Sequence, residues 1–351
     1  MKKILTIVLS LVFLLTGLEG CANRETKSAG SSALSSPETS KMATESAKER
    51  SPELYCSTCF LANFTREILG DHGQVHVLIE GDPDAHHWEP SSGLMVDLSK
   101  SQGLIYSGAG LEAWLDKLKE NLPETVKLLD SSKGVDLIKT TETEEADHDH
   151  DHEDEKAESR EDKDHDHEDE HAHHHHGQYD PHIWLSPKNA RIQSRNIANY
   201  LMELDPAHKE DYTKNLEKLD KKLEALDEKY TKELAPFSGK TIVVPHQAFG
   251  YLCRDYALKQ VSIQGLLADG QPDAKKLAEI VDQAKKDGRK AIFRDAYGDD
   301  AMSKSLAEEI GGKVYPLYTL ESISPEDQKA GADYFLLMEK NLESLKAGLQ
   351  E

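Results

Sequence analysis

Short apolar strands alternate with amphipathic helices twice along this chain, before and after one long helical stretch. In that stretch, residues 205–234, apolar side chains recur three and four positions apart, which is the pattern of a helix with one buried face. A repeated strand–helix order argues for parallel sheets covered by helices. We therefore predict an α/β fold: two Rossmann-like lobes of parallel sheet and helices, joined by one long linking helix.

The two runs of alternation have similar make-up. In the first run we predict strands at 54–60, 75–79, 104–106 and 126–129, with helices at 61–69, 92–99 and 111–119. In the second run we predict strands at 241–244, 261–266, 291–293 and 314–317, with helices at 248–258 and 272–286. A chain of 351 residues is also longer than one core usually supports, which agrees with two lobes.

The first residues are typical of an export signal. Lys2 and Lys3 precede a short apolar run, and Leu18-Glu19-Gly20-Cys21 follows it. This ending resembles a bacterial lipobox, in which the cysteine carries lipid, although Glu19 departs from the usual small or apolar residue. An ordinary signal peptide is the alternative, and both place the mature chain outside the cytoplasm.

These patterns divide the chain into five predicted parts. We predict a lipoprotein signal peptide at 1–20, a disordered tether at 21–50, an N-terminal lobe at 51–204, the linking helix at 205–236 and a C-terminal lobe at 237–351. The tether is rich in small and charged residues, so it buries too little apolar surface to offset its ordering entropy. An acidic, histidine-rich segment, 142–177, interrupts the N-terminal lobe and should form a loop for the same reason.

The net charge of −23 is concentrated in that loop. Residues 142–170 contain seventeen acidic and three basic residues, and the rest of the chain is only mildly acidic. We therefore expect no nucleic-acid partner, because phosphate binding needs a basic face.

Three cysteines remain if Cys21 carries lipid. Cys56 and Cys59 form a C-x-x-C pair, and Cys253 lies in the second lobe. A C-x-x-C match alone is a weak redox signal, so we favour packing or one local disulfide.

The histidine-rich loop contains His167-Glu168-Asp169-Glu170-His171, a formal match to the zinc-protease motif. That motif needs an apolar helix face that presents both histidines to one metal ion, and the surrounding residues are Asp, Glu, His and Ala. We interpret the match as chance and predict no protease.

Four other polar residues lie where the predicted fold would bind a ligand, near the carboxyl ends of strands. They are His86, His182, His246 and Asp295, two from each lobe. Three imidazoles and one carboxylate form a donor set well suited to tetrahedral zinc. The sequence thus predicts a metal site in the cleft between the lobes.

Several motifs occur in a characteristic order: the lipobox-like start, HHWEP, the acidic histidine-rich loop, DPHIWLSP, the long helix, PHQAFGYLCRDYAL and IFRDA. Over about residues 51–350 the chain closely resembles the zinc-binding solute-binding proteins of bacterial metal ABC importers, the cluster A-I or TroA-like receptors of the ZnuA and AdcA type. The resemblance places metal ligands at His86, His182, His246 and Asp295. Asp299 and Asp300, one helical turn on, are the alternatives for the last ligand.

The resemblance implies a receptor with Zn²⁺ as its transported ligand, not an enzyme. It would be lipid-anchored at Cys21 on the outer side of the cell membrane, monomeric, and would deliver zinc to an ABC permease and its ATPase. Additional metal ions would bind weakly to the loop histidines His171, His173, His174, His175 and His176. The alternatives are a manganese or iron receptor on the same scaffold, a zinc-dependent surface adhesin, and a zinc hydrolase.

Overall fold

Four short parallel strands form the first sheet. The structure, a computed structural model, describes residues 51–81, 85, 88–140, 178–265 and 273–351. The strands pair in the order β2-β1-β3-β4, all parallel. Their bounds are β1 (Glu53–Cys56), β2 (Gln74–Val77), β3 (Gly103–Tyr106) and β4 (Lys127–Asp130). The helices of this lobe are α1 (Cys59–Leu69), α2 (Ser92–Leu98) and α3 (Leu115–Asn121).

The first strand is shorter than the sequence predicts. The apolar run 54–60 was predicted as one strand, but β1 ends at Cys56 and α1 begins at Cys59. Both elements are apolar because both are buried: Leu54 in β1 and Phe60 in α1 are almost fully covered. A continuous apolar run therefore cannot show where a buried strand gives way to a buried helix.

Two consecutive helices connect the lobes. The first, α4 (Pro187–Leu204), begins with a proline, whose missing N–H is not needed in a first helical turn. The second, α5 (Lys209–Leu234), has 26 residues and so extends about 39 Å. It packs against α4 and α1 through a buried stripe of Tyr212, Leu219, Leu223, Leu226, Tyr230 and Leu234.

The second lobe contains two parallel strand pairs, β5–β6 and β7–β8, with β5 beside β7. The strand bounds are β5 (Thr241–Val244), β6 (Lys259–Ser262), β7 (Ala291–Asp295) and β8 (Lys313–Leu317). The helices are α6 (Gly250–Asp255), α7 (Ala274–Lys286), α8 (Ala301–Ile310), α9 (Pro325–Lys329) and α10 (Tyr334–Gln350). Helix α10 covers β7 and β8 and also contacts α5. The predicted α/β class with parallel sheets is confirmed.

One large core cluster extends through both lobes, from Leu54 in β1 to Leu349 in α10. A smaller cluster around Val243 and Ile292 fills the space under α7 and α8. In the described part of the chain, no helix has the length and apolar character that crossing a bilayer requires. The predicted signal peptide, tether, Cys21 and histidine-rich loop lie outside the described residues, and the division into five parts stays a prediction.

Candidate metal centre

His182 lies between a short antiparallel bridge, Lys139 with Tyr179, and the single helical turn Ile183–Leu185 that precedes α4. Its side chain is fully buried. The ring Nδ1 lies 2.9 Å from Asp180 Oδ1, and that oxygen also accepts the His182 backbone N–H at 3.0 Å. Because Nδ1 is engaged by the carboxylate, Nε2 is the nitrogen left to face a metal ion.

His246 follows β5, separated from Val244 only by Pro245. Its side chain is buried, and its ring centroid lies 5.5 Å from that of His182. The parallel strand β5 thus brings its carboxyl end, and the histidine beyond it, to the place where His182 enters from the first lobe.

The third member of the site is Glu321, in the buried segment 319–323 that follows β8. Its Oε1 lies 3.5 Å from His182 Nε2 and 3.9 Å from His246 Nε2. His246 follows β5 and Glu321 follows β8, and the 3.9 Å between their side chains shows that both lie on the same side of the lobe.

Each of these three residues offers one ligand atom such that all the atoms lie within 4.8 Å of one another. A tetrahedral zinc ion with bonds of about 2.0–2.1 Å separates two of its ligand atoms by about 3.3 Å. The His182–Glu321 separation of 3.5 Å is close to that distance. Two imidazole nitrogens and one carboxylate oxygen therefore form three corners of a site that suits zinc.

The charge state of His182 depends on its two carboxylate neighbours. Burial lowers its pKa, whereas the hydrogen bonds and charges of Asp180 and Glu321 raise it, and the result is a pKa of about 9 in the metal-free protein. With this pKa we expect a proton on Nε2, facing Glu321, when no metal ion is bound.

Gly250, at the start of α6, allows the approach of Asp180. A side chain at this position would overlap Asp180 Oδ2, so the glycine of the motif PHQAFGY is required by the aspartate of DPHIWLSP. The hydroxyl of Tyr251, the next residue, donates to the Asp180 carbonyl at 2.7 Å. The motifs DPHIWLSP and PHQAFGY, which come from different lobes, therefore pack directly against each other beside His182.

The structure places the other predicted ligands elsewhere or outside its described part. His86 lies outside the described residues. Asp295 ends β7, where its Oδ1 accepts the Tyr297 backbone N–H at 3.1 Å, and it is not part of the cluster found among the described residues. Asp299 accepts from the backbone N–H of Ala301 at the start of α8, and Asp300 pairs with Lys304.

Glu321 was not predicted from the sequence. The strand-end argument was applied to 291–293, which led to Asp295, and not to the next predicted strand, 314–317. Glu321 lies four residues beyond Leu317, in a segment without a recognisable motif. The one sequence feature that could have pointed to Glu321 is an acidic residue within a short apolar stretch, next to Leu320 and close to Ile323, both of which are buried.

The cysteines do not contribute to the centre. Cys56, Cys59 and Cys253 are buried thiols without a disulfide, so the local disulfide considered above does not form in this structure. Burial raises the pKa of Cys56 and of Cys59 to about 12, and this does not fit a reactive redox pair.

The chain was compared with known proteins. Residues 54–348 match the family model described as zinc-uptake complex component A, periplasmic. The high-affinity zinc uptake system protein ZnuA of Bacillus subtilis (strain 168) is 34% identical over 307 residues, which are 87% of this chain and 90% of that protein. The zinc-binding lipoprotein AdcA of Streptococcus pneumoniae serotype 4 is 34% identical over 284 residues, so the chain spans only 53% of its length.

Solved structures similar to this chain also include zinc-binding proteins of the ZnuA and AdcA type. The Zn(II)-bound ZnuA-like domain of Streptococcus pneumoniae AdcA superposes with a TM-score of 0.68 at 30% identity, covering 85% of this chain and 98% of that one. The laminin-binding protein of Streptococcus agalactiae, described as having adhesin and metal-transporting activity, superposes with a TM-score of 0.69 at 28% identity, covering 86% of this chain and 100% of that one. Since the family model covers more than half of the sequence, the chain belongs to the ZnuA family of zinc-uptake components.

Proposed function

We propose that the protein is an extracytoplasmic zinc receptor that binds Zn²⁺ between its two lobes and delivers it to an ABC permease. The observation that carries this proposal is the buried convergence of His182, His246 and Glu321 within 4.8 Å. The relatives named as zinc uptake and zinc-binding proteins support it. Attachment to the membrane through lipid on Cys21, the monomeric state and the permease with its ATPase are part of the same proposal.

The donor set favours zinc over manganese or iron. Two imidazoles and a single carboxylate are ligands that zinc binds well, whereas harder ions prefer more oxygen ligands. His86 is the fourth ligand that we propose, on the strength of its motif HHWEP. Its nitrogen would complete a four-coordinate site with the three described side chains.

We propose a binding role without catalysis. A catalytic zinc site keeps an open coordination position beside a general base. Here Asp180 binds His182 Nδ1 and Glu321 is itself a proposed ligand, so we propose that neither acts as a general base. The histidines of the 142–177 loop, including His171 and His173, would add weaker sites that raise the local zinc concentration.

Replacing the carboxylates tests the site directly. We expect Glu321→Gln to lower zinc affinity by about 100-fold or more, because removing a direct ligand should cost at least as much as removing a neighbour of one. Asp295→Asn is the matched control, since it also neutralises one acidic residue after a strand of the same lobe. Isothermal titration with Zn²⁺, after removal of residues 142–177 from every variant, measures both.

Two results would contradict the assignment. If Glu321→Gln binds zinc as tightly as the unaltered protein, Glu321 is not a ligand. If Asp295→Asn produces the larger loss, the sequence-based assignment to Asp295 is right and the cluster is not the transport site.

The likeness to laminin-binding proteins raises the alternative of a surface adhesin that uses zinc for structure. The two functions differ in what the metal does for the fold. A receptor must remain folded when it has released its ion, whereas a structural site would unfold with its metal removed.

A further inference from the structure

The segment that carries Glu321 is held by side chains from three other elements. Asn341 of α10 binds both backbone groups of Tyr318, at 2.7 Å to its N–H and 2.8 Å to its carbonyl. The Trp184 indole N–H donates to the Thr319 carbonyl at 2.7 Å. The Cys59 thiol lies 3.3 Å from the Leu320 carbonyl.

This segment needs such support because its backbone is strained. Leu320 has a φ of 62°, in the left-handed region that a branched side chain adopts at a cost of about 1–3 kcal/mol. Its side chain is nevertheless 1% exposed, so packing and the surrounding hydrogen bonds hold it there. The position of the Glu321 carboxylate therefore depends on contacts made by the residues before it.

Trp184 differs from the other two supports because it also belongs to the segment of His182. It lies two residues after His182, and its acceptor Thr319 lies two residues before Glu321. One hydrogen bond thus links the two ligand-bearing segments, which come from different lobes.

The indole is itself fixed in place. Its ring is fully buried and stacks on Phe60 of α1 with centroids 4.5 Å apart. The backbone carbonyl of Trp184 accepts a hydrogen bond from the Tyr334 hydroxyl of α10 at 2.8 Å. A donor held on both sides can set the position of the carbonyl that it binds, rather than follow it.

We propose that Trp184 is a positioning residue for metal binding: its indole N–H fixes the separation of His182 Nε2 and Glu321 Oε1 and so favours zinc over larger ions. This inference rests on the proposed zinc receptor function. The separation of 3.5 Å is close to the roughly 3.3 Å that tetrahedral zinc needs between two of its ligand atoms. A looser segment would accept ions with longer bonds and less strict geometry, such as Mn²⁺.

The test is Trp184→Phe, which keeps an aromatic ring against Phe60 and removes the N–H. Tyr230→Phe is the matched control, because the Tyr230 hydroxyl is also a buried donor to a backbone carbonyl, that of Met338 at 2.6 Å. Three quantities are measured for each: the melting temperature without metal, the Zn²⁺ and Mn²⁺ affinities, and the visible absorption of the Co²⁺-loaded protein.

We expect both variants to melt at lower temperature, and only Trp184→Phe to change the metal site. Its zinc affinity should fall about 10–100-fold, the usual loss when a group that orients a ligand is removed. Its preference for Zn²⁺ over Mn²⁺ should narrow, and its Co²⁺ bands should weaken as the tetrahedral geometry is lost. A purely structural role would lower the melting temperature and leave the Co²⁺ spectrum of the folded protein unchanged.

The proposal is overturned if Trp184→Phe retains the zinc affinity and the Co²⁺ spectrum of the unaltered protein. If Trp184→Phe does not fold, the benzothiophene analogue of tryptophan at position 184 replaces N–H by sulfur in the same shape, and the same readouts apply. Failure of the receptor proposal is detected separately: Glu321→Gln would then bind zinc as tightly as the unaltered protein does.

Discussion

The raised pKa of His182 predicts that the metal-free protein carries a proton on this imidazole at neutral pH, which zinc would have to displace. Burial lowers the pKa of this imidazole, but Asp180 at Nδ1 and Glu321 at Nε2 raise it, to about 9. At pH 7.5 a group with that pKa is about 97% protonated, whereas an ordinary histidine with a pKa of about 6.5 is about 9% protonated. Binding through Nε2 should therefore release about one proton from His182, instead of about a tenth of one.

This proton makes zinc affinity depend on pH well above the usual range of histidine. From pH 7 to pH 9 the contribution of His182 should raise the apparent affinity about tenfold per pH unit, and the increase should stop above a pH of about 9. Calorimetric titration with Zn²⁺ in buffers of different ionisation enthalpy measures the number of protons released at each pH.

The variant Asp180→Asn isolates the cause. It keeps an oxygen near Nδ1 at the position now 2.9 Å away, but it removes the negative charge that raises the His182 pKa. We expect proton release at pH 7.5 to fall towards a tenth of a proton, and zinc affinity at pH 9 to fall about 10–100-fold because the ligand is less basic. The reasoning is refuted if Asp180→Asn releases as many protons as the unaltered protein.

The same proton stabilises the metal-free fold. Since the folded pKa of His182 is raised from 6.5 to about 9, its contribution is fully present below pH 6.5 and is lost as the pH rises through about 9. The shift corresponds to about 3 kcal/mol. Urea unfolding of the metal-free protein at pH 6 and pH 9.5 should show this loss, and Asp180→Asn should reduce it.

Two further predictions concern the body of the fold. Leu223→Ala should lower the free energy of unfolding by about 2–5 kcal/mol, because Leu223 is fully buried on the packed face of α5, and urea denaturation measures the loss. Removing zinc with a chelator should leave the circular dichroism spectrum of the protein essentially unchanged, because the core that includes Leu54 and Leu349 is continuous without a metal; unfolding on chelation would favour the structural zinc of an adhesin.

The α/β fold could be predicted from the sequence because the spacing of apolar residues shows which face of a helix or strand is buried. The β-branched run at 241–244 and the leucine stripe of α5 are strong patterns: β5 forms at the predicted residues, and α5 covers 209–234 of the predicted 205–236 after a separate turn at Pro206–His208. Boundaries were less accurate: in the buried run from Leu54 to Phe60, apolar character continues from strand to helix, so it cannot mark the end of β1.

Of the three residues in the candidate site, the sequence pointed only to the two histidines that lie in motifs. His182 and His246 lie in recognisable motifs next to elements that the periodicity had placed, and the structure brings the two rings together. Glu321 belongs to an irregular segment whose path depends on Leu320 with positive φ and on hydrogen bonds from distant residues such as Trp184. Neither local pattern nor composition encodes such a path, because the contacts that determine it join residues far apart in the chain.

Helix α10 comes after all three described segments of the candidate metal site in the sequence, yet it holds two of them. Asn341 binds the backbone of Tyr318, and the Tyr334 hydroxyl binds the carbonyl of Trp184. During synthesis from the N-terminus, His182 and Glu321 are therefore made before the helix that binds the segments carrying them. The arrangement of the candidate site is therefore complete only when residue 341 has been made and has folded into place beside Tyr318.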